Sequence, residues 1–232
     1  MKNFLIVFSV CFFITLFLPK SLFRKFDRIL SNTKTSHTST SGEGTKYTSD
    51  PKTMEYFNEI CLKSETNPIQ RKSPKKYKKD VKIFVYGDYE PYMLDEVKIV
   101  VDDLNSIIVP IEVSIVGNKN ESNMVMYFGN YESFISDNPD LKRIGKLKNC
   151  EGFFTTKSSK SNEIKSSRIF INLPRQDSYN DVRDAIREEI TQSLGFYNDS
   201  WLYPESCFYQ GQNEVLEYSG VDVKLIKLLY ND

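Results

Sequence analysis

Residues 31 to 50 (SNTKTSHTSTSGEGTKYTSD) contain 11 Ser or Thr and no Leu, Ile, Val or Phe. So little apolar surface cannot offset the conformational entropy lost on ordering, so this stretch reads as a flexible linker rather than part of a core. It divides the 232-residue chain into an attachment at 1–30, a tether at 31–50 and one domain of ordinary size at 51–232. The charges divide in a similar place. Residues 1 to 80 carry 15 Lys or Arg against 7 Asp or Glu, and the rest carry 16 against 24, so a formal net charge of zero conceals a basic front and an acidic body.

The attachment begins with a nearly unbroken apolar run, Phe4 to Leu18, preceded by Lys2 and followed by Pro19 and Lys20. Its length suits an uncleaved membrane anchor or a signal-peptide core. No small-x-small cleavage site follows, and Val10 stands before Cys11 where a lipoprotein signal would have Gly or Ala, so the anchor is the reading taken here. Beyond it, Leu22, Phe23, Phe26, Ile29 and Leu30 lie on one helical face, with Lys20, Arg24, Lys25 and Arg28 on the other. That is the pattern of a basic helix lying among lipid headgroups. Membrane lipid is therefore the partner expected for residues 1–30. The cations after the run favour a cytoplasmic body and the signal-like layout favours export; the layout is followed, which places the body on the extracytoplasmic side.

The chain has one histidine, His37, and it falls in the tether. Zinc sites built on imidazole and histidine-based acid–base chemistry are thereby excluded from the domain. Cys61, Cys150 and Cys207 allow one disulfide and require none. The segment RKSPKKYKK (71–79) brings six cations but no aromatic reading motif, so it is taken as a solvated lead-in to a strand, and no nucleic-acid partner is expected.

Within the domain, Asp50-Pro51 starts a helix that runs to about Leu62. Alternating or β-branched segments predict strands at 81–86, 111–116, 123–128, 152–156 and 168–173, with an exposed loop, KSSKSNEIKSS, between the last two. Apolar spacing predicts helices at 94–108, 131–135 and 178–195 and at the C-terminus. The order describes an α+β fold in which one mixed sheet packs on helices.

The helix at 178–195 carries the chemistry. Val182, Ile186, Ile190 and Leu194 form its buried stripe. Glu188 and Gln192, four residues apart, share another face, with Glu189 beside them. The sequence E-E-I-T-Q-S-L-G has the spacing of H-E-x-x-H-x-x-G, in which two imidazoles hold zinc and the glutamate between them acts as general base. The glutamate is kept at 189 and both ligand positions lack histidine. Adjacent Glu188 and Glu189, if both were partly buried, would repel each other and raise the pKa of one, which makes each a candidate general acid or base. Thr191, Ser193 and Cys207 lack a base within reach and are not read as nucleophiles.

The resemblance to zincin metalloproteases extends to Ser206-Cys207-Phe208-Tyr209, which is similar to their S-x-M-Y turn, and to Tyr218 through Tyr230, which is similar to their final helix. The chain more closely resembles a bacterial family known as domain of unknown function 2927, through Glu188-Glu189-Ile190-Thr191-Gln192, Leu194-Gly195-Phe196, Asn198-Asp199-Ser200 and Tyr203-Pro204-Glu205-Ser206-Cys207-Phe208. The resemblance covers about residues 54–232. It implies a zincin-like fold without catalytic zinc, and members are often expected to be exported or lipid-anchored. No cofactor is expected. Glu188 and Glu189 are the catalytic candidates, and Gln192, Asn198, Asp199 and Tyr209 the binding candidates. Two readings follow. In one the domain is a pseudo-protease that binds an extended peptide or protein along the edge strand at 152–156. In the other it is a hydrolase with Glu189 as base, while Glu188, Gln192 and Asp199 hold a non-zinc metal or the substrate.

Overall fold

The computed structural model describes residues 50–64, 70–211 and 213–231. The apolar run, the amphipathic segment and nearly all of the Ser/Thr-rich tether, His37 included, lie outside them. Among the described residues no helix is long and apolar enough to cross a membrane.

Helix α1 (Pro51–Leu62) starts at the expected Asp-Pro pair: the Asp50 carboxylate accepts from the backbone N–H of Lys52 and Thr53 at 3.1 and 3.0 Å. The sheet contains β1 (Lys76–Tyr77), β2 (Val81–Gly87), β3 (Val113–Ile115), β4 (Met124–Gly129), β5 (Gly152–Ser158) and β6 (Glu163–Asn172). Across it the strands run β3-β2-β4-β6-β5, and β1 pairs with the first residues of β6. All pairs are parallel except β5 with β6, so the sheet is mixed and β5 is its antiparallel edge. Helix α2 (Pro91–Ile107) makes the crossover from β2 to β3, and α3 (Tyr131–Asp137) follows β4. Helix α4 (Tyr179–Ser193) packs against α2, β5 and β6, and α5 (Gly220–Tyr230) closes the chain against α1 and α2.

Two expectations change. The polar link between β5 and β6 is mostly strand: β5 runs to Ser158 and β6 begins at Glu163, leaving residues 159–162 as the turn. Backbone pairing needs no apolar side chain, and a solvent-facing hairpin keeps its polar residues wet. The basic lead-in is also more than solvated chain. Tyr77 is buried there, with its hydroxyl 2.7 Å from Ser167 Oγ, and Lys76 Nζ donates to the Leu229 carbonyl at the end of α5, where a cation meets the negative pole of the helix.

The packing of α2 on α4 contains a buried charge network. Glu96 falls among the buried residues Met93, Val97 and Val100 of α2, and Arg187 is fully buried on α4. Arg187 donates to Asp103 at 2.8 Å, its Nη2 lies 3.5 Å from Glu96 Oε1, and its guanidinium carbon is 4.6 Å from the centroid of the Tyr218 ring. Arg183 donates to the other oxygen of Glu96 at 2.5 Å. Removing one member of such a network leaves an uncompensated charge in the core, which costs about 3–5 kcal/mol. Urea unfolding of Arg187→Ala should show a loss of that order, whereas Lys98→Ala, which breaks the exposed pair with Asp95, should change stability by less than about 1 kcal/mol.

Candidate functional site

From Ala185 to Ser193 every residue of α4 is buried, although the stretch includes Arg187, Glu188, Glu189, Thr191, Gln192 and Ser193. Each polar group there needs a partner within the protein. Thr191 Oγ1 lies 2.6 Å from the Tyr218 hydroxyl and donates to the Arg187 carbonyl, and Ser193 Oγ donates to the Ile190 carbonyl at 2.8 Å.

Gln192 sits at the centre of the site. Its amide nitrogen donates to Glu188 Oε1 at 3.2 Å, one helical turn back, and to Asp199 Oδ1 at 2.6 Å on the loop that follows. The two N–H bonds of a single –NH2 group thus bridge two carboxylates. The opposite orientation would set the amide oxygen against both anions, so electrostatics fixes the direction of the amide.

Asp199 reaches this place because α4 ends sharply. Gly195 has φ of +134°, a conformation that side-chain-bearing residues rarely adopt, and a Cβ there would stand 2.1 Å from the Lys75 carbonyl oxygen. The chain turns back, Phe196 stacks on Phe208 at 4.9 Å, and Ser200 forms a parallel bridge with Tyr209. The turn at Ser206–Tyr209 is anchored from below. Ser206 Oγ donates to Asp222 Oδ1 at 2.5 Å and receives the Tyr56 hydroxyl at 2.8 Å, and Asp222 also accepts from Cys207 N and from Ser219. Burial raises the Asp222 carboxyl above its ordinary value, and these donors pull it partly back. Phe208, in the place of the zincin methionine, is fully buried.

The other expected residues separate. Glu189 is 6% exposed and packs over Gly152, where a Cβ would fall 2.4 Å from its carboxylate oxygen. It therefore stands against the first residue of the edge strand. Arg183 and Arg187 are both engaged on α2. Asn198 turns to the backbone and donates to the Asp199 carbonyl at 2.6 Å. Tyr209 packs edge-on against Trp201, with ring centroids 5.7 Å apart, and over Gly211. Cys61, Cys150 and Cys207 are free thiols. The Cys150 thiol is raised to about 12, chiefly by burial and next by the Glu189 charge.

Sequence reasoning missed Glu96, although a lone acid inside the α2 stripe and an arginine inside the α4 core are a complementary pair of signals. It also missed the closeness of Glu189 to Gly152, which no local pattern reveals. Trp201 and Leu202, 57% and 53% exposed, form an apolar tip just beyond Asp199.

Residues 50–232 match the family described as "Protein of unknown function (DUF2927)". The chain belongs to that family. Solved structures similar to it include two of myroilysin. "Crystal structure of myroilysin" has 12% identity, covers 76% of this chain and 93% of that one, and gives a TM-score of 0.46. "Structure of myroilysin" has 12% identity, 66% and 92% coverage, and a TM-score of 0.41. No curated protein matches the chain. This DUF2927 domain has a mixed sheet with an antiparallel edge strand, and α4 packs on that strand and its neighbour.

The fold implies zinc, and the residues present do not fit it. The two ligand positions of the helix are Glu188 and Gln192, and in the longer motif H-E-x-x-H-x-x-G-x-x-H the third falls on Asn198. Zinc favours imidazole, thiolate or carboxylate, and two of these three side chains are neutral amides. The Gln192 –NH2 already provides the positive pole between Glu188 and Asp199. Among the described residues no three His, Cys, Asp or Glu side chains are grouped as metal ligands. Losing hydrogen bonds to buried charged acceptors costs about 1.5–3 kcal/mol each. Gln192→Leu should therefore lower the unfolding free energy by about 2–4 kcal/mol, and Asn198→Ala, which loses one bond to a backbone carbonyl, by about 1 kcal/mol; equal losses in urea denaturation would contradict a bridging role for Gln192.

Proposed function

We propose that this protein is a membrane-tethered, extracytoplasmic pseudo-protease, a zincin-like domain that binds an extended peptide or protein segment and does not cleave it. The observation that carries this reading is the Gln192 amide between Glu188 and Asp199. A neutral amide held by two anions cannot polarise a scissile carbonyl or activate water as a Lewis acid would. The means of binding is independent of that chemistry. Strand β5 pairs with β6 on one side, and its other backbone edge can add a strand from a partner.

Hydrolysis with Glu189 as base is less favoured, because that carboxylate is buried against Gly152 and the neighbouring Glu188 and Asp199 are already bridged by the Gln192 amide. Elemental analysis of the purified full chain, beside peptide-hydrolase assays of the parent and of Glu189→Gln, separates the readings. No stoichiometric metal and no activity sensitive to Glu189→Gln is the expected result. Either one found would replace the binding module with an enzyme.

The tether reading rests on Phe4–Leu18 and the basic amphipathic segment after it. Protease added to intact cells should digest the domain while leaving a cytoplasmic control protein whole. Digestion only after lysis would reverse the orientation.

A further inference from the structure

Arg71 and Lys75 stand four residues apart on the segment entering β1, and both lie near Tyr197. The Arg71 guanidinium carbon is 4.2 Å from the ring centroid and Lys75 Nζ is 5.9 Å from it. Both cations are half-buried. Arg71 is fastened to the end of α1: its backbone N–H donates to the Leu62 carbonyl and its Nη1 to the Lys63 carbonyl, each at 2.8 Å. That uses one of the five N–H donors of a guanidinium.

Among the described residues the groups that act on the charge of Arg71 are Tyr197 and Cys61, and the one that acts on Lys75 is Arg71 itself; no carboxylate is among them. Burial holds both cations below their ordinary pKa values, and Arg71 pushes Lys75 further down. Two partly desolvated positive groups side by side are relieved by an anion. The surroundings would attract one, because Lys72, Lys78, Lys79 and Lys165 are exposed nearby in sequence or across the β1–β6 pairing, and Lys165, Lys78 and Lys79 all depress the Glu163 carboxyl. Elsewhere the body is acidic.

Tyr197 joins this pair to the edge strand. Its hydroxyl shares a hydrogen bond of 2.9 Å with Thr156 Oγ1, and its ring lies 5.7 Å from that of Phe154, both residues of β5. The cations therefore stand at the Thr156 end of the edge, and Glu189 stands at the Gly152 end, about 13 Å away at the rise of a β-strand.

We infer that Arg71 and Lys75 form a carboxylate-binding site that receives an acidic side chain of an extended polypeptide paired with β5. The inference rests on the binding-module reading and adds the chemistry of the ligand. A polypeptide is favoured over other anions because the site borders a strand edge, whose N–H and C=O groups pair with peptide backbone. The planar guanidinium fits a carboxylate fork, and Lys75 adds a second charge.

The experiment uses the full chain in neutral detergent with three fluorescein-labelled decapeptides of alternating Thr and Val, whose central pair is Glu-Glu, Gln-Gln or Lys-Lys. Anisotropy titrations should rank them Glu above Gln above Lys, with the Glu probe bound about tenfold more tightly than the Gln probe at low salt, a margin that shrinks as salt rises. Lys75→Glu, a change at a half-buried position that leaves the Arg71 anchor to α1 in place, should reverse the order of the Glu and Lys probes. Arg71→Lys should keep part of the preference. Equal binding of the Glu and Gln probes overturns the inference and leaves the binding module standing, whereas failure of every probe counts against both. A loss of preference in Lys78→Gln/Lys79→Gln as large as in Lys75→Glu would replace the site with a diffuse field. Binding of a DNA oligonucleotide or inorganic phosphate that depends on Lys75, with no peptide bound, would overturn the polypeptide assignment.

Discussion

The architecture depends on burying α4 on all sides. A surface helix can send its polar face to water, but from Ala185 onward this one has neighbours all round, with α2, β5 and β6 among them. Arg187, Glu188, Thr191, Gln192 and Ser193 must then find partners inside, and several of those partners lie on other elements. Arg187 ties α4 to Glu96 and Asp103 of α2, Thr191 to Tyr218 ahead of α5, and Gln192 to the loop of Asp199. The sheet, both flanking helices and the returning loop are set by the demands of one helix.

The Gln192 bridge gives the site its character. In a zincin the corresponding position is a ligand to a divalent cation, and the charge of that cation does the chemistry. An –NH2 group between two carboxylates meets the same geometric need with partial charges. It keeps loop and helix together and supplies no electrophile. The following turn is secured in a similar way: Asp222 accepts from Ser206, Cys207 and Ser219, while the ring of Phe208 stacks on Phe196. Hydrogen bonds and packing thus tie the frame of the site together.

The charge split along the chain has a counterpart in the fold. The segment from Arg71 to Lys79 is drawn into the domain through β1, buried Tyr77 and the contact of Lys76 with the end of α5. A basic margin is thereby attached to an acidic body beside the edge strand.

Much of the scaffold was legible in local pattern. Alternation marked β2 and β4, the Asp-Pro pair marked α1, the stripe of Val182, Ile186, Ile190 and Leu194 marked α4, and apolar spacing marked the C-terminal helix α5. These features follow from periodicity and capping, which act over a few residues. Helical spacing alone also placed Glu188 and Gln192 on one face. The return of Asp199 depends on the Gly195 turn and the Ser200–Tyr209 bridge, and the seat of Glu189 on Gly152 depends on where β5 crosses α4. The pairing of Arg187 with Glu96, 91 positions apart in number, depends on how α2 packs. By itself the sequence determined that the domain has no imidazole and that two acids and a glutamine share one helix. Only the tertiary structure decided that Asp199 returns to the same glutamine and that Glu189 seats against the edge strand, because a turn and a strand outside the helix make those two choices.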